Sequence, residues 1–121
     1  MGRYQDTLDY IFGYVNYEKK ARYPYDAATF DLSRMERVLE RLGRPHDRFR
    51  SVHIAGTKGK GSTSAMVESV LRSAGYRTGL FTSPHLHTFR ERIRLAGALM
   101  TRNELVSLVD RCRPAIEETP D

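Results

Sequence analysis

The chain has 121 residues, 40% hydrophobic and 29% charged, which limits it to one small domain or a piece of one and excludes wholesale disorder. Twenty Lys and Arg against fifteen Asp and Glu leave a net charge of +5, which suits a polyanionic partner such as a nucleotide. The basic residues alternate with acids, as in Arg34, Glu36, Arg37, Glu40 and Arg41, so they read as solvated helix faces and no nucleic-acid partner is expected.

No N-terminal apolar run is long enough for a signal peptide or membrane span, so no membrane association is expected and the location expected is cytoplasmic. Tyr4, Leu8, Ile11, Phe12 and Val15 recur at helical spacing and predict an opening amphipathic helix. Asn16 to Ala28 reads as loop, with Tyr17, Tyr23, Pro24 and Tyr25 suited equally to packing and to ligand contact. Ser33 and Glu36 carry a capping-box signature, and Met35, Val38, Leu39 and Leu42 form an apolar stripe that Gly43 and Pro45 end.

Ser51-Val52-His53-Ile54-Ala55 reads as a short buried strand running into glycines, with His53 a core or half-buried histidine. From Ser62 to Ala74, the residues Ala65, Met66, Val70, Leu71 and Ala74 predict a second buried stripe, stopped by Gly75, and Thr78 to Thr82 predicts a strand. Strand, glycine loop, helix and strand make a βαβ unit with a parallel pair and a right-handed crossover. The fold class is therefore α/β, a parallel sheet with flanking helices. Arg92 to Met100 reads as an extended arm or a hairpin turning at Ala96-Gly97. Thr101 with Glu104 repeats the capping box before a helix with Leu105, Leu108, Val109 and Cys112 inward, which Pro114 is expected to kink or end. Cys112, the single cysteine, reads as a buried or half-buried thiol and excludes an internal disulfide.

Gly56-Thr57-Lys58-Gly59-Lys60-Gly61-Ser62-Thr63 lies between the predicted strand and helix, where backbone N–H groups and a helix N-terminus converge on one anion. Gly59 and Gly61 permit close approach, Lys60 can place an ammonium on the outer phosphates, and Ser62 or Thr63 can offer a hydroxyl to Mg²⁺ or phosphate. The loop departs from the common P-loop spacing: two residues separate Gly56 from Gly59, and Gly61 intervenes between Lys60 and Ser62. Ser83, at the C-terminal end of a predicted strand, lies where open α/β sheets bind ligands. His85 and His87 read as ordinary loop histidines and not as a metal pair.

The stretch from Val52 to Thr63 resembles the P-loop of folylpolyglutamate and dihydrofolate synthases, of the Mur ligase superfamily. Ala74-Gly75-Tyr76, then Gly79 to Leu86 and Phe89-Arg90-Glu91-Arg92-Ile93, resemble that family's serine motif and the loop after it. Tyr10 onward and Phe30-Asp31-Leu32 also look familial. Lys58 and Arg90 depart, standing where the family often has Asn. The resemblance implies the N-terminal portion of a single ATP-binding domain, spanning 1–121, with the remainder of that domain and a C-terminal domain absent. It implies ATP and Mg²⁺ as cofactors, and transfer of the ATP γ-phosphate to a folate or dihydropteroate carboxylate, followed by attack of glutamate on the acyl phosphate. It places Lys60 and the residues Gly56 to Thr63 on the phosphates, Ser62 and Ser83 on the metal, and Phe30, Asp31, Leu32, His85 and Phe89 near the acid substrate. The rest of the ligase chain is the expected macromolecular partner, and 121 residues alone are expected to be inactive. Another Mur-type ligase and a non-catalytic nucleotide-binding module are the alternatives.

Overall fold

The structure, a computed structural model, describes residues 2–14 and 32–119. Val15, the loop Asn16 to Ala28 with its tyrosines, and Phe30 and Asp31 lie outside the described residues. The chain forms two compact units, one of residues 1–51 and 106–121, the other of residues 52–105.

The first unit contains helices α1 (Gly2–Phe12) and α2 (Ser33–Arg41), a 3-10 turn at Pro45–Arg48, and most of α4 (Arg102–Glu117). Val106 and Ala115 are buried, and so is Thr7, which donates its hydroxyl to the Arg3 carbonyl at 2.8 Å. That bond satisfies a hydroxyl that would otherwise be buried without a partner. Arginines join the helices: Arg3 pairs with Asp110, Arg113 lies 3.9 Å from the Tyr10 ring centroid, and Arg41 meets Glu118 at 3.0 Å. The expected capping box at Ser33 is not formed. Ser33 is already inside α2, the cap position falls on Leu32 with helical dihedrals, and no side chain caps the helix. Met35, expected inward, is 56% exposed, while Val38, Leu39 and Leu42 are half-buried.

At the start of α4 the second capping box is present in full. The Thr101 hydroxyl accepts from the Glu104 N–H, and the Glu104 carboxylate accepts from the Thr101 N–H, both at 3.1 Å. Pro114 does not end this helix, which continues to Glu117. Proline removes one backbone donor, but the following turn closes through Glu118 N–H to the Pro114 carbonyl and the Thr119 hydroxyl to the Ala115 carbonyl. Leu108, expected inward, is exposed, and Cys112 is half-buried as its sequence context suggests.

The second unit holds α3 (Lys60–Ser73), β1 (Gly79–Phe81), a 3-10 turn at Phe89–Arg92, β2 (Ile93–Leu95) and β3 (Ala98–Leu99). The strands form one sheet in the order β1-β2-β3, with both pairings antiparallel and Leu80 opposite Arg94. The hairpin does turn at Ala96 and Gly97, which have φ of 52° and 81°, the pair of positive values a tight two-residue turn requires. The expected strand at Ser51 to Ala55 is absent: the segment is unpaired, Val52 is 66% exposed, His53 is exposed and Ile54 half-buried. No parallel pair forms among the described residues, so the βαβ pairing is corrected while the α/β class stands. β2 takes one edge of β1; a parallel neighbour on the other edge is stable only where both faces of the sheet are covered, and here Val52 and Phe81 are exposed.

Helix α3 begins at Lys60, two residues before the expected start, and buries a different face. Met66 and Val70 are exposed, whereas Val67 and Leu71 are half-buried and Glu68 is 8% exposed. The Glu68 carboxylate accepts from Arg72 Nε at 2.8 Å and from the Thr78 hydroxyl at 2.7 Å, binding the helix to the lead-in of β1. These two bonds, Arg72 first, hold the Glu68 carboxyl below the usual carboxylate range. Arg72 also crosses the hairpin turn so closely that a Cβ on Gly97 would lie 2.7 Å from its Cζ.

Gly97→Ala is therefore expected to lower stability by about 1–2 kcal/mol, through the left-handed backbone and the displaced Arg72. Gly61→Ala meets nothing within 4 Å in a helical turn and is expected to be neutral or stabilising by up to about 1 kcal/mol. Chemical denaturation of the two variants checks the contrast; equal effects would contradict it.

Candidate functional site

The glycine loop runs exposed from Gly56 to Gly59 and enters α3 at Lys60. Gly59 occupies the cap position with φ of 77°, a left-handed value that a side chain disfavours. The first backbone bond of the helix is Thr63 N–H to the Gly59 carbonyl at 2.9 Å. The N–H groups of Lys60, Gly61 and Ser62 precede it, so they have no acceptor within the helix. They carry the positive end of a 14-residue helix. Lys60, Ser62 and Thr63 are exposed around them, and a Cβ on Gly59 or Gly61 would meet no protein atom within 4 Å. This loop and helix start form an open, positively polarised site of the kind that receives an anion.

Thr57 and Lys58 lie on the same exposed loop. The half of the expectation that required a paired strand before the loop is not met, so the segment is a loop-to-helix and not a strand-to-helix junction among the described residues.

Ser83 is exposed two residues beyond the end of β1 and precedes Pro84 through a cis peptide bond. The chain then loops out and returns through the 3-10 turn to β2. His85 is half-buried, its Nδ1 accepting from Arg92 Nε at 2.8 Å and its ring edge-on to Phe89 at 5.9 Å between centroids. The Arg92 guanidinium lies 5.1 Å from the Phe89 ring centroid. The two expected substrate contacts His85 and Phe89 are thus brought together. Leu32 belongs to the other unit and is 69% exposed.

Glu91 is the residue that sequence reasoning overlooked. Its carboxylate accepts from three consecutive backbone N–H groups, those of Leu86, His87 and Thr88, at 3.1, 2.8 and 2.7 Å. Thr88 and Glu91 form a reciprocal capping box, and the Thr-x-x-Glu spacing that announces it was present in the sequence. Among the described residues no group of three His, Cys, Asp or Glu side chains can hold a metal ion, and no helix is long and apolar enough to cross a membrane.

The backbone bonds, that from Thr88 foremost, lower the Glu91 carboxyl from its ordinary 4.5 to about 2. A carboxyl depressed by folding stabilises the folded loop fully above its unfolded value, and the contribution fades as pH falls from about 4.5 towards about 2. Carbon-13 NMR of the Glu91 side-chain carboxyl is expected to show a titration near 2, and a midpoint above 4 would contradict the geometry.

No protein-family model matches the chain. It is 40% identical over 114 residues to the dihydrofolate synthase/folylpolyglutamate synthase of Bacillus subtilis, covering 94% of this chain and 24% of that protein. It superposes on the folylpolyglutamate synthase of Thermotoga maritima with a TM-score of 0.79 and 37% identity, over 95% of this chain and 24% of that one. A folylpolyglutamate synthase structure in complex with AMPPCP and folate matches with a TM-score of 0.78 and 34% identity, over 95% of this chain and 26% of that one. The chain therefore spans about a quarter of the length of these relatives.

Proposed function

Homologous to the folylpolyglutamate and dihydrofolate synthases over about a quarter of their length, this chain, we propose, is the N-terminal portion of the ATP-binding domain of such a ligase. The ligase joins glutamate to the carboxylate of a folate or of dihydropteroate at the expense of ATP. The observation that carries this reading is Gly61. Within a helix a glycine is less favourable than alanine, by up to about 1 kcal/mol in the interior. Here it has neither a positive φ nor a protein neighbour within 4 Å to require it. Its missing side chain makes room for something that is not part of the chain, and the free amides beside it select an anion.

In the proposed reaction a substrate carboxylate oxygen attacks the γ-phosphorus of ATP, the bond to the bridging oxygen breaks, and ADP leaves with its electron pair. The amine of glutamate then attacks the acyl carbon, loses a proton, and phosphate departs. Such transfer needs positioning and charge neutralisation more than a protein nucleophile. The amides of Lys60, Gly61 and Ser62 hold phosphate oxygens, the Lys60 ammonium draws charge from the outer phosphates, and Gly56, Thr57, Lys58 and Gly59 shape the approach. Magnesium, when bound, neutralises phosphate charge. The exposed hydroxyls of Ser62 and Ser83 are hard oxygen ligands suited to an ion that keeps several waters. His85 and Phe89 are proposed to contact the acid substrate, and for Phe30, Asp31 and Leu32 the same role is proposed from the family resemblance alone.

The domain reading is also supported by surface composition. Val52, Met66, Val70 and Phe81 are 61–68% exposed, and such side chains are covered in a completed domain. The proposal therefore assigns activity to the full-length ligase.

Lys60→Ala in the full-length ligase is expected to reduce turnover by tenfold or more, about 1.4 kcal/mol of barrier or above, with little change in thermal midpoint. Ligation assays beside thermal melting check this. Turnover within about threefold of the unsubstituted enzyme would contradict the role of Lys60.

A further inference from the structure

We infer that Glu91 and Arg92 are positioning residues that hold the segment after Ser83, and the ring of His85 within it, in one arrangement before any ligand binds. The inference rests on the ligase reading for what the segment does, and on the hydrogen bonds of the segment for how it is held. Between β1 and the 3-10 turn the chain leaves the sheet, and loops of this kind ordinarily leave their N–H groups to water. Here three consecutive N–H groups converge on one carboxylate, at 2.7 to 3.1 Å. Charge-assisted bonds are roughly twice as strong as neutral ones, so one side chain does for this loop what a ladder does for a strand. Glu91 is itself anchored in the turn that leads directly into β2, so the loop is referred to the sheet.

His85 stands one residue before the first of these amides. A guanidinium can only donate, so the His85 Nδ1 that receives Arg92 Nε carries a lone pair and the ring proton lies on Nε2. Phe89 packs against the same ring and lies under the same guanidinium, so His85 is fixed in orientation as well as in tautomer. The result is an N–H donor two residues from the Ser83 hydroxyl. Both groups suit an oxyanion, which in a carboxylate–amine ligase is either a phosphoryl oxygen of ATP or the carboxylate of the acid.

The test uses the full-length ligase, its Glu91→Gln and Arg92→Met variants, and three readouts. Amide exchange at Leu86, His87 and Thr88 and the nitrogen-15 shifts of His85 report the arrangement itself, whatever the protein ligates. In the unsubstituted protein the amides are expected to be protected and His85 to be the Nε2–H form. Glu91→Gln is expected to release the amides, and Arg92→Met to mix the tautomers, with the fold kept. Each variant should lower kcat/KM by about tenfold or more. A rise in the KM of the acid with unchanged Mg-ATP affinity assigns the oxyanion to the acid carboxylate, and weakened Mg-ATP binding assigns it to the phosphates. Unprotected amides or an Nδ1–H ring in the unsubstituted protein would overturn the inference, and so would a variant that loses the arrangement yet keeps kcat/KM within threefold. Failure of the ligase reading is separate: it appears as no ligation of glutamate to a folate or dihydropteroate by the unsubstituted full-length protein while the loop readouts stay as expected.

Discussion

The carboxylate of Glu68 accepts from the Arg72 guanidinium on its own helix and from the Thr78 hydroxyl at the entrance to β1, and the second unit is organised around that joint. Helix α3 carries the glycine loop at its N-terminus, and β1 leads to Ser83 at its C-terminal end. With the helix and the strand fastened to each other, the two candidate motifs are held by one frame. Arg72 extends the joint across the hairpin turn, where only a glycine leaves it room. A buried carboxylate is tolerated here because both of its oxygens accept hydrogen bonds, from Arg72 on the same helix and from Thr78 before β1.

The two motifs are held in different ways, as their chemistry requires. The proposed phosphate cradle is backbone: a left-handed Gly59 turns the chain into α3, and the first amides of the helix have no acceptor within it. Its side chains are exposed and a Cβ on Gly59 or Gly61 would meet nothing within 4 Å, so it is open to an incoming anion. The segment after Ser83 is held by side chains, with Glu91 gathering amides and Arg92 gripping His85. An open cradle and a fastened loop suit phosphoryl transfer, in which the chain contributes placement and charge.

Local signals in the sequence were sound where the governing contacts are local. The turn at Ala96-Gly97 and the box at Thr101 and Glu104 depend on neighbours within a few residues and are where their residue types place them, and the helix after the glycine loop is present, beginning two residues earlier than its apolar spacing predicts. Thr88 and Glu91 were equally legible but were hidden inside a motif read for its serine. What could not be read is which apolar face is covered. The spacing of Met66 and Val70 marks a helix face, yet both are exposed because periodicity does not say what packs on it. Ser51 to Ala55 has strand composition without a strand, since a parallel ladder takes its partners from far along a chain. Ser33 failed as a cap for a smaller reason: the helix began one residue earlier than its signature suggested.

The central claim is that the amides at the start of α3 receive phosphate, and an NMR titration of the backbone N–H groups with Mg-ATP addresses it directly. The account predicts that the largest shifts fall on Gly59, Lys60, Gly61, Ser62 and Thr63, and that Mg-adenosine, lacking the phosphates, leaves them in place. Saturable Mg-ATP binding that moves other amides while these five stay unchanged would contradict it.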